Sequence, residues 1–438
     1  MNLNTFKQLR HQIYQCYGRS ADALFELCDA LSSEATARSL PELSLSPFFR
    51  REWASVYEAL EDGRIDEQEW MGIWTTELLA SQETAVWISI DSTAIARPEA
   101  ETSPDRGMIY VPNLPHASKP VSVGWQFSTV MLLPKQPSSW GAILSQRRIA
   151  STQTAVEVAI EQVEALRPLL PVSARLLADR WYVTGPFVQA CQRLHLPALM
   201  RLKRNRKLYR PAPVHPAGKR GAPRKDGDLF QGSRPETWGQ PDATWSGTDW
   251  RGKPLLVQSW QQLHFRQARE VEVTVFRVLR EGAKGTKRDP RESWFVWVGE
   301  EALALGEVAT SYRLRFSHEH SYRFLKQDLL WTKVHVRTPE QFERWSLLVA
   351  TAMNFLVVAR SFGQAAYRRW ERRRERVTPR QVRRIMAGIL SQVGTPTRPP
   401  KPRGKSPGRA KGYRPDKAPR FEVVRKTKPV SKKRQKSA

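Results

Sequence analysis

The 438-residue sequence predicts an α/β protein whose mixed-sheet core is interrupted by a β-rich insertion. Short β-rich apolar runs alternate with helical stretches between residues 85 and 200, which indicates the mixed core. Six tryptophans and alternating apolar residues occupy residues 229–300, which indicates the insertion. We expect a small helical domain before the core and a disordered basic tail after it.

The N-terminal segment is predicted to be a helical domain of residues 1–82. Its apolar residues recur at spacings of three and four, as in Leu24, Leu27, Cys28 and Leu31, which is typical of amphipathic helices. Residues 1–80 carry 7 Lys and Arg against 13 Asp and Glu, so this segment is acidic.

The first part of the core is predicted to span residues 83–227 and to end in a basic loop. The loop, residues 201–225, holds ten basic residues and no acidic one, among Pro and Gly residues that disfavour regular structure. Lys203, Arg204, Arg206 and Lys207 are its first closely spaced cations, and we expect them to contact a polyanion.

The insertion is predicted to span residues 228–303, and the second part of the core, with C-terminal helices, residues 304–390. Its apolar run, residues 345–359, contains Asn354 and is shorter than the ~20 residues that span a bilayer. We therefore expect a buried helix and no membrane partner. The N-terminus lacks the pattern of a secretory signal, which predicts a cytoplasmic protein.

The charge of the chain predicts a nucleic acid as its partner. Lys and Arg number 71 against 43 Asp and Glu, which gives a net charge of +28. The predicted tail, residues 391–438, is basic: residues 396–438 alone contribute sixteen Lys and Arg against two acids. Such a composition predicts a disordered arm that holds phosphates without reading sequence. The three cysteines are isolated, which excludes a disulfide framework and a paired-cysteine zinc site.

Two aspartates follow predicted buried strands. Asp91 ends the run 87–90 and Asp179 ends the run 174–178, so each carboxylate should lie at the carboxyl end of a strand, where α/β sheets place their sites. Taken singly, an aspartate in this context is more often a turn or helix-cap residue.

A third group of polar residues lies on a predicted helix that runs through residues 311–326. Tyr312, Arg315, Glu319 and Lys326 fall on one narrow stripe of this helix. A stripe of this kind is either a solvated face with paired charges or the wall of a cleft. Three converging carboxylates would suit Mg²⁺, and two such ions about 3.5 to 4 Å apart support phosphoryl transfer.

These segments resemble the DDE transposases of the cut-and-paste bacterial insertion-sequence type. The stretches ISIDST around Asp91 and LADRWY around Asp179 resemble the strands of the first two acidic residues. The spacing Tyr312-x2-Arg315-x3-Glu319-x6-Lys326 resembles the family's tyrosine-arginine-glutamate-lysine signature. The resemblance covers about residues 86–362 and implies an RNase H-like catalytic core.

The resemblance also implies roles for these residues. Asp91, Asp179 and Glu319 would be catalytic and bind two Mg²⁺ ions, for which Mn²⁺ substitutes, while Tyr312, Arg315 and Lys326 would hold double-stranded DNA. A tryptophan late in the insertion would stack on a flipped base, and Trp294 and Trp297 both match, although core packing explains either equally well. The protein would act as a homodimer on paired element ends, in the bacterial cytoplasm at the nucleoid.

Three hypotheses for the function remain open at this point. The first is a transposase that cuts at element ends and joins them to target DNA. The second is an RNase H-like nuclease that cuts and stops. The third is a DNA-binding protein with a catalytically silent triad. His318 and His320, which flank Glu319, are expected to be packing or surface residues, and Trp181 and Tyr182 to pack in the core.

Overall fold

The computed structural model describes most of the chain and supports the predicted fold class. The described residues are 1–80, 85–111, 120–215, 221–286, 290–366, 370–371, 377–401, 404 and 408–425. Residues 216–220 of the predicted basic loop and residues 402–403, 405–407 and 426–438 of the predicted basic tail lie outside these residues.

The N-terminal segment is helical, as predicted. Asn2 begins the first helix because its side chain accepts a hydrogen bond from the Thr5 amide, and Asp66 caps the fifth in the same way through Glu69. The helices are α1 (Leu3–Gln15), α2 (Ala21–Ser33), α3 (Leu40–Leu43), α4 (Ala54–Asp62) and α5 (Glu67–Leu79).

The strands form one large mixed sheet within the described residues. Their bounds are β1 (Trp87–Ala96), β2 (Gly107–Tyr110), β3 (Val121–Leu132), β4 (Ala142–Ile149), β5 (Arg175–Ala178), β6 (Ala198–Arg201), β7 (Lys207–Tyr209), β8 (Leu229–Gln231), β9 (Ala243–Thr248), β10 (Pro254–Phe265), β11 (Ala268–Arg280) and β12 (Glu292–Val298).

The core of the sheet has the strand order β4-β3-β1-β5-β6. The pairs β4 with β3 and β3 with β1 are antiparallel, whereas β1 with β5 and β5 with β6 are parallel. Three antiparallel strands followed by two parallel ones form an RNase H-like sheet. The central strands are buried on both faces, which explains their nearly continuous apolar sequences.

The β-rich insertion continues the core sheet. Strand β12 pairs antiparallel with β6, and the order then runs β12-β11-β10. Both β9 and β7 pair antiparallel with β10, and β8 pairs with β7. Four residue pairs, from Phe295 with Arg201 to Val298 with Ala198, join the insertion to the core. The predicted domain boundaries remain predictions, but hydrogen bonds of a single sheet join the predicted core part 83–227 to the predicted insertion 228–303.

The remaining helices pack on the sheet. They are α6 (Ala155–Leu166), α7 (Gly185–Arg193), α8 (Leu305–Arg313), α9 (Phe316–Gln327), α10 (Pro339–Val358) and α11 (Pro379–Val393), with 3-10 turns at Arg167–Leu169, Pro235–Thr237 and Ala359–Ala366. The continuous helix predicted through residues 311–326 is wrong, because α8 ends at Arg313 and α9 begins at Phe316. The chain therefore turns between Tyr312 and Glu319.

Helix α10 is the buried helix that the sequence predicts. The segment Pro339–Gly363 is long and apolar enough to cross a membrane by length and composition, but 72% of its apolar window is buried inside the protein, as in a core helix. Thr351 accepts a hydrogen bond from Trp70 Nε1 and lies 3.2 Å from the Tyr17 hydroxyl. The Asn354 amide bonds to both the N–H and the carbonyl of Ile143 at 2.8 Å. The helix thus contacts the N-terminal helices and the edge strand β4.

The described residues of the tail contact the folded protein at two places. The Thr397 hydroxyl donates to Glu26 and the Arg398 amide donates to Asp22, both on α2. Further on, the Val424 amide donates to the Arg106 carbonyl next to β2. Disorder of the arm remains a prediction, since residues 426–438 lie outside the described residues.

Candidate active site

The parallel pairing of β1 and β5 places two carboxylates side by side. Ile90 pairs with Ala178, so Asp91 and Asp179 occupy the next positions on neighbouring strands, which lie ~4.8 Å apart in a sheet. Asp179 follows the last residue of β5, as predicted. Asp91 does not end its strand, because residues 91–96 continue to pair with β3. It lies instead where the parallel ladder ends.

Arg315 joins the third carboxylate to the first. Its guanidinium donates to Asp91 Oδ2 at 2.7 Å and to Glu319 Oε1 at 3.1 Å. The side chain of Arg315 is 12% exposed and that of Asp91 is 19% exposed, whereas that of Glu319 is 57% exposed. The turn between α8 and α9 therefore presents an arginine to the acidic positions of the sheet.

The electrostatics of these residues are coupled. Burial raises the pKa of Asp91, the charge of Arg315 opposes this, and the nearby Asp179 and Glu319 raise the pKa further. Burial lowers the pKa of Arg315, but Asp91, Tyr312, Asp179 and Glu319 together raise it above its ordinary value. The three acids therefore share one electrostatic site, and Arg315 supplies its positive charge.

The carboxylate oxygens of the three acids are of the kind that bind a hard divalent cation, but in this structure Asp91 and Glu319 bind Arg315. In the described part of the chain, no three His, Cys, Asp or Glu side chains are grouped closely enough to hold a metal ion. Arg315 instead bridges Asp91 and Glu319. The three carboxylates are oxygen ligands of the kind that Mg²⁺ prefers, so the chemistry of the donor set fits such an ion.

Comparison with known families identifies the chain. The profile described as DDE superfamily endonuclease matches residues 12–267, which is more than half of the sequence. The chain belongs to the DDE superfamily endonucleases. The matched residues include Asp91 and Asp179 and end before Glu319. A search of curated proteins finds no match. Membership implies a DNA substrate and metal-dependent DNA cleavage.

The other two residues of the predicted signature contact the protein itself in this DDE superfamily endonuclease. Lys326 Nζ donates to the Thr93 hydroxyl at 2.6 Å and to the Ala94 carbonyl at 3.0 Å. Burial lowers the pKa of Lys326 to about 8, although Asp91 opposes this. The Tyr312 ring packs on Phe295, and its buried hydroxyl lacks a hydrogen-bond partner among the described residues. Lys326 therefore lies beside β1, and Tyr312 beside the insertion.

Two further residues fix helix α9 against β1. The Tyr322 hydroxyl donates to the Asp91 carbonyl at 2.8 Å, and His318 Nδ1 lies 2.7 Å from the Ser89 hydroxyl. His318 is fully buried, and burial lowers its pKa well below the ordinary value. It is therefore the packing residue that the sequence favours. Tyr322 was not among the predicted site residues, although its spacing of three from Glu319 places it on a neighbouring face of the same helix.

Neither tryptophan proposed for base stacking is accessible in the endonuclease. Trp294 is 2% exposed and stacks on Trp260 with ring centroids 5.8 Å apart. Trp297 is 3% exposed and donates its Nε1–H to the Glu301 carbonyl. The two side chains lie on opposite faces of β12, and both faces are covered, so neither ring is free for a base.

Trp181 is accessible, contrary to the expected core packing. It lies two residues after Asp179, is 65% exposed, and has Lys203 Nζ 3.7 Å above its ring. Its neighbour Tyr182 is buried, as expected. Two charged neighbours in the sequence, Asp179 and Arg180, were the available signal that this position faces solvent.

The three cations after Lys203 that were predicted to contact DNA lie at separate places near the start of the insertion. Arg204 pairs with Glu292 at 3.3 Å, and the Arg206 guanidinium lies 5.5 Å from the Phe265 ring. Lys207 begins β7 and is exposed. The sequence predicted a loop here, but residues 207–209 form a strand that pairs with β8.

Proposed function

We propose that this DDE superfamily endonuclease is the transposase of a bacterial insertion sequence, which cuts DNA at the element ends and joins the freed ends to target DNA. The observation that carries the proposal is that strand pairing places Asp179 beside Asp91, while Arg315 links Asp91 to Glu319. The spacing of Tyr312, Arg315, Glu319 and Lys326 supports transposition in particular, because it resembles the transposase signature.

The three carboxylates would hold two Mg²⁺ ions, with Mn²⁺ as a substitute. The bound ions would activate the attacking oxygen and stabilise the leaving oxygen of the phosphodiester. The same site then serves both reactions, since water attacks in cleavage and a DNA 3′ hydroxyl attacks in joining. We propose that Asp91, held within β1, fixes the position of the site, while the more exposed Glu319 completes it.

The cations of the site would position DNA. If the carboxylates bound metal ions, they would no longer need Arg315 as their counter-ion. The Arg315 guanidinium would then donate two parallel hydrogen bonds to a phosphate. Lys326, beside Thr93, would contact a neighbouring phosphate as a point charge. Because two ends must be cut and joined together, we propose a homodimer that acts on paired ends in the bacterial cytoplasm, at the nucleoid.

The test is an in vitro reaction with Mg²⁺ or Mn²⁺ on a plasmid that carries the gene and its flanking DNA. The wild type is compared with Asp91→Ala, Asp179→Ala and Glu319→Gln, and all new DNA ends are sequenced. Glu300→Gln is the control, because this glutamate is 79% exposed and belongs to the loop after β12. We expect joined products from the wild type and the control, and DNA binding without cleavage from the three site variants.

Other outcomes distinguish the remaining hypotheses. Metal-dependent cuts without joining would contradict transposition and favour a nuclease. Binding without any cutting by the wild type would favour a catalytically silent DNA-binding protein. If all three site variants lost DNA binding along with cleavage, the assignment of these residues as metal ligands would be wrong.

A further inference from the structure

An exposed tryptophan lies in the same turn as one of the three candidate acidic residues. The Tyr182 amide donates to the Asp179 carbonyl at 3.0 Å, which closes a four-residue β-turn from Asp179 to Tyr182. Trp181 is the third residue of this turn and is 65% exposed. The first and last Cα atoms of a β-turn lie less than ~7 Å apart, so the turn keeps Trp181 close to Asp179. The indole side chain therefore starts beside the candidate active site.

Strand β6 brings a lysine to this tryptophan. Strands β5 and β6 pair in parallel, so the residues that follow both strands lie at the same edge of the sheet as Asp179. The Nζ atom of Lys203 lies 3.7 Å from the centroid of the Trp181 ring, which is a cation–π contact. The chain before Lys203 is fixed, because the Leu202 amide donates to the Trp294 carbonyl at 2.8 Å. The lysine and the tryptophan thus come from separate elements and meet at this edge.

The contact with Lys203 leaves one face of the Trp181 ring open. The ammonium group covers one face, and a tryptophan that is 65% exposed does not have both faces covered. The guanidinium carbon of the exposed Arg180 lies 5.8 Å from the same centroid, at the limit of the cation–π range. In the part of the chain that the structure describes, neither Lys203 nor Arg180 forms a salt bridge, whereas Arg204 pairs with Glu292 at 3.3 Å. One open aromatic face and two positive charges therefore lie together.

The exposure is specific to Trp181 within its turn. Its neighbours Tyr182 and Val183 are 2% and 4% exposed, and the Tyr182 ring packs on Phe187. An exposed indole forgoes the stabilisation that burial of its apolar surface would give. Rigid aromatic side chains with a polar end are typical of binding sites. An aromatic face next to two cations is complementary to a flat, apolar ring that carries negative charge nearby, which describes a nucleotide.

We propose that Trp181 and Lys203 bind an unpaired nucleotide of the DNA next to the phosphodiester that is cut. The open indole face would stack on the base, because every base has a flat π face. Lys203 and Arg180 would contact the adjoining phosphates. A base inside a duplex is covered on both faces by its neighbours, so the DNA has to be unpaired at this position. This inference rests on the proposed function and adds to it the state of the DNA at the cut.

The test compares binding of a forked and a fully paired DNA to the full chain, in EDTA so that no metal-dependent cleavage occurs. The fork is a fluorescein-labelled 30-base-pair duplex with four unpaired nucleotides on each strand at one end. Trp181→Ala and Lys203→Gln are compared with the wild type over a range of KCl concentrations. Trp53→Ala and Lys7→Gln are the controls, because Trp53 is 64% exposed, Lys7 is exposed, and both lie in the N-terminal segment. Trp181→Phe keeps a ring, and thermal melts check the fold of each variant.

We expect the wild type to bind the fork more tightly than the paired duplex. Trp181→Ala should weaken binding of the fork by ~10-fold and leave binding of the paired duplex nearly unchanged, because only an unpaired base stacks on the ring. Trp181→Phe should restore most of the loss. Lys203→Gln should weaken binding of both DNAs and reduce the salt slope by ~1, since one phosphate contact contributes about −0.9 in duplex DNA.

A second measurement needs no variant and holds even if Trp181→Ala fails to fold. The fluorescent adenine analogue 2-aminopurine, placed at the first unpaired position, loses emission when it stacks on an aromatic ring, so the wild type should quench it. If quenching is absent, or if Trp181→Ala weakens binding of both DNAs equally, no unpaired base stacks on Trp181 and the inference is wrong.

The outcomes also separate the inference from the proposed function. If Trp181→Ala and Lys203→Gln bind both DNAs like the controls while the wild type binds DNA, the inference is wrong and the proposed function stands. If the wild type binds neither DNA, both are wrong.

Discussion

Arg315 acts as the internal counter-ion of an acidic site. It donates to Asp91 and to Glu319, and Tyr322 and His318 fix helix α9, which follows it, against the strand that carries Asp91. Removal of a positive charge from between two carboxylates would leave them to repel each other unless a metal ion took its place. Arginine and metal should therefore compete for the same carboxylates.

We expect Arg315→Ala to increase the affinity for Mn²⁺ in the absence of DNA. Charges about 4 Å apart interact by about 4 kcal/mol at an effective dielectric constant of 20, and each 1.4 kcal/mol is tenfold in affinity, so an increase of at least ~10-fold is expected. Electron paramagnetic resonance of free Mn²⁺ measures this directly. Arg323→Ala, at an exposed position of helix α9, is the control. Equal Mn²⁺ affinity in both variants would show that Arg315 does not compete with metal.

Lys326 should make stability depend on pH in a predictable direction. Its pKa is about 8 in the folded protein, against 10.5 when unperturbed, because burial disfavours its charge. The unfolded state therefore binds more protons between these values, so the free energy of unfolding should rise as pH increases from 8 towards 10. Urea unfolding of wild type and Lys326→Met at each pH isolates this contribution.

Lys207→Met, at an exposed position of β7, controls for the loss of a surface lysine. The difference in unfolding free energy between wild type and Lys326→Met should change across pH 8 to 10, and the difference for Lys207→Met should stay nearly constant. A flat difference for Lys326→Met would mean that its ammonium group is well solvated in the folded protein.

The sequence predicted the acidic residues of the site better than their surroundings. Asp91 and Asp179 could be found because each follows an apolar run, and strand pairing then brings them together. The bridging position of Arg315 could not be found, because it depends on the turn at the α8 and α9 junction. The burial of Trp294 and the exposure of Trp181 depend on which neighbours cover each ring, and spacing along the chain does not record this.

At the scale of elements, the alternation of strands and helices was sufficient to predict the mixed sheet and the buried helix α10. The helix break at residues 314–315 was missed, because neither Gly nor Pro marks it and both flanking segments favour helix. The joining of the insertion to the core sheet was missed as well, since the pairing of β12 with β6 links residues about a hundred positions apart. Such long-range pairings leave no local pattern.

Asn354 explains how an apolar helix can lie against the edge strand β4. Its amide bonds to both backbone groups of Ile143, next to an irregularity in the β3 and β4 pairing. We expect Asn354→Leu to lower the free energy of unfolding by about 1–3 kcal/mol for each buried group left unpaired. Chemical denaturation measures the loss. Asn4→Leu, at an exposed position of α1, is the control. A cost no larger than that of the control would mean that water replaces the amide at Ile143.

At the scale of the molecule, α10 contacts both the N-terminal helices and the sheet, and the C-terminal tail contacts both as well. The Thr351 side chain hydrogen-bonds to the N-terminal segment, and the Asn354 side chain hydrogen-bonds to β4. The two residues lie about one turn apart on α10. Thr397 and Arg398 contact α2, and Val424 contacts the chain next to β2. The net charge and the tail composition predicted the polyanionic partner class, but not these contacts.

Truncation of the tail at two positions should separate its proposed role in DNA binding from its contribution to stability. A chain that ends at Lys401 loses fourteen Lys and Arg residues but keeps Thr397 and Arg398 on α2. We expect it to bind all DNA sequences more weakly and with a flatter salt dependence. A chain that ends at Gly394 should bind equally weakly and also melt at a lower temperature, because the acids of α2 lose these partners.

Fluorescence anisotropy with specific and random duplexes, together with thermal melts, measures both effects. Loss of preference for the specific duplex in the Lys401 truncation would mean that the tail reads sequence. Equal melting temperatures for the two truncations would mean that the contacts of Thr397 and Arg398 add no stability.

The unbroken sheet between β6 and β12 joins the insertion rigidly to the catalytic core. Because the backbone hydrogen bonds of the sheet link β12 of the insertion to the strands of Asp91 and Asp179, β12 cannot move relative to these carboxylates without breaking several of them. A DNA strand that the proposed transposase held on the insertion would therefore be cut at a fixed distance from the point of contact. Addition of a single nucleotide between the held strand and the cut position should displace the cut by one nucleotide.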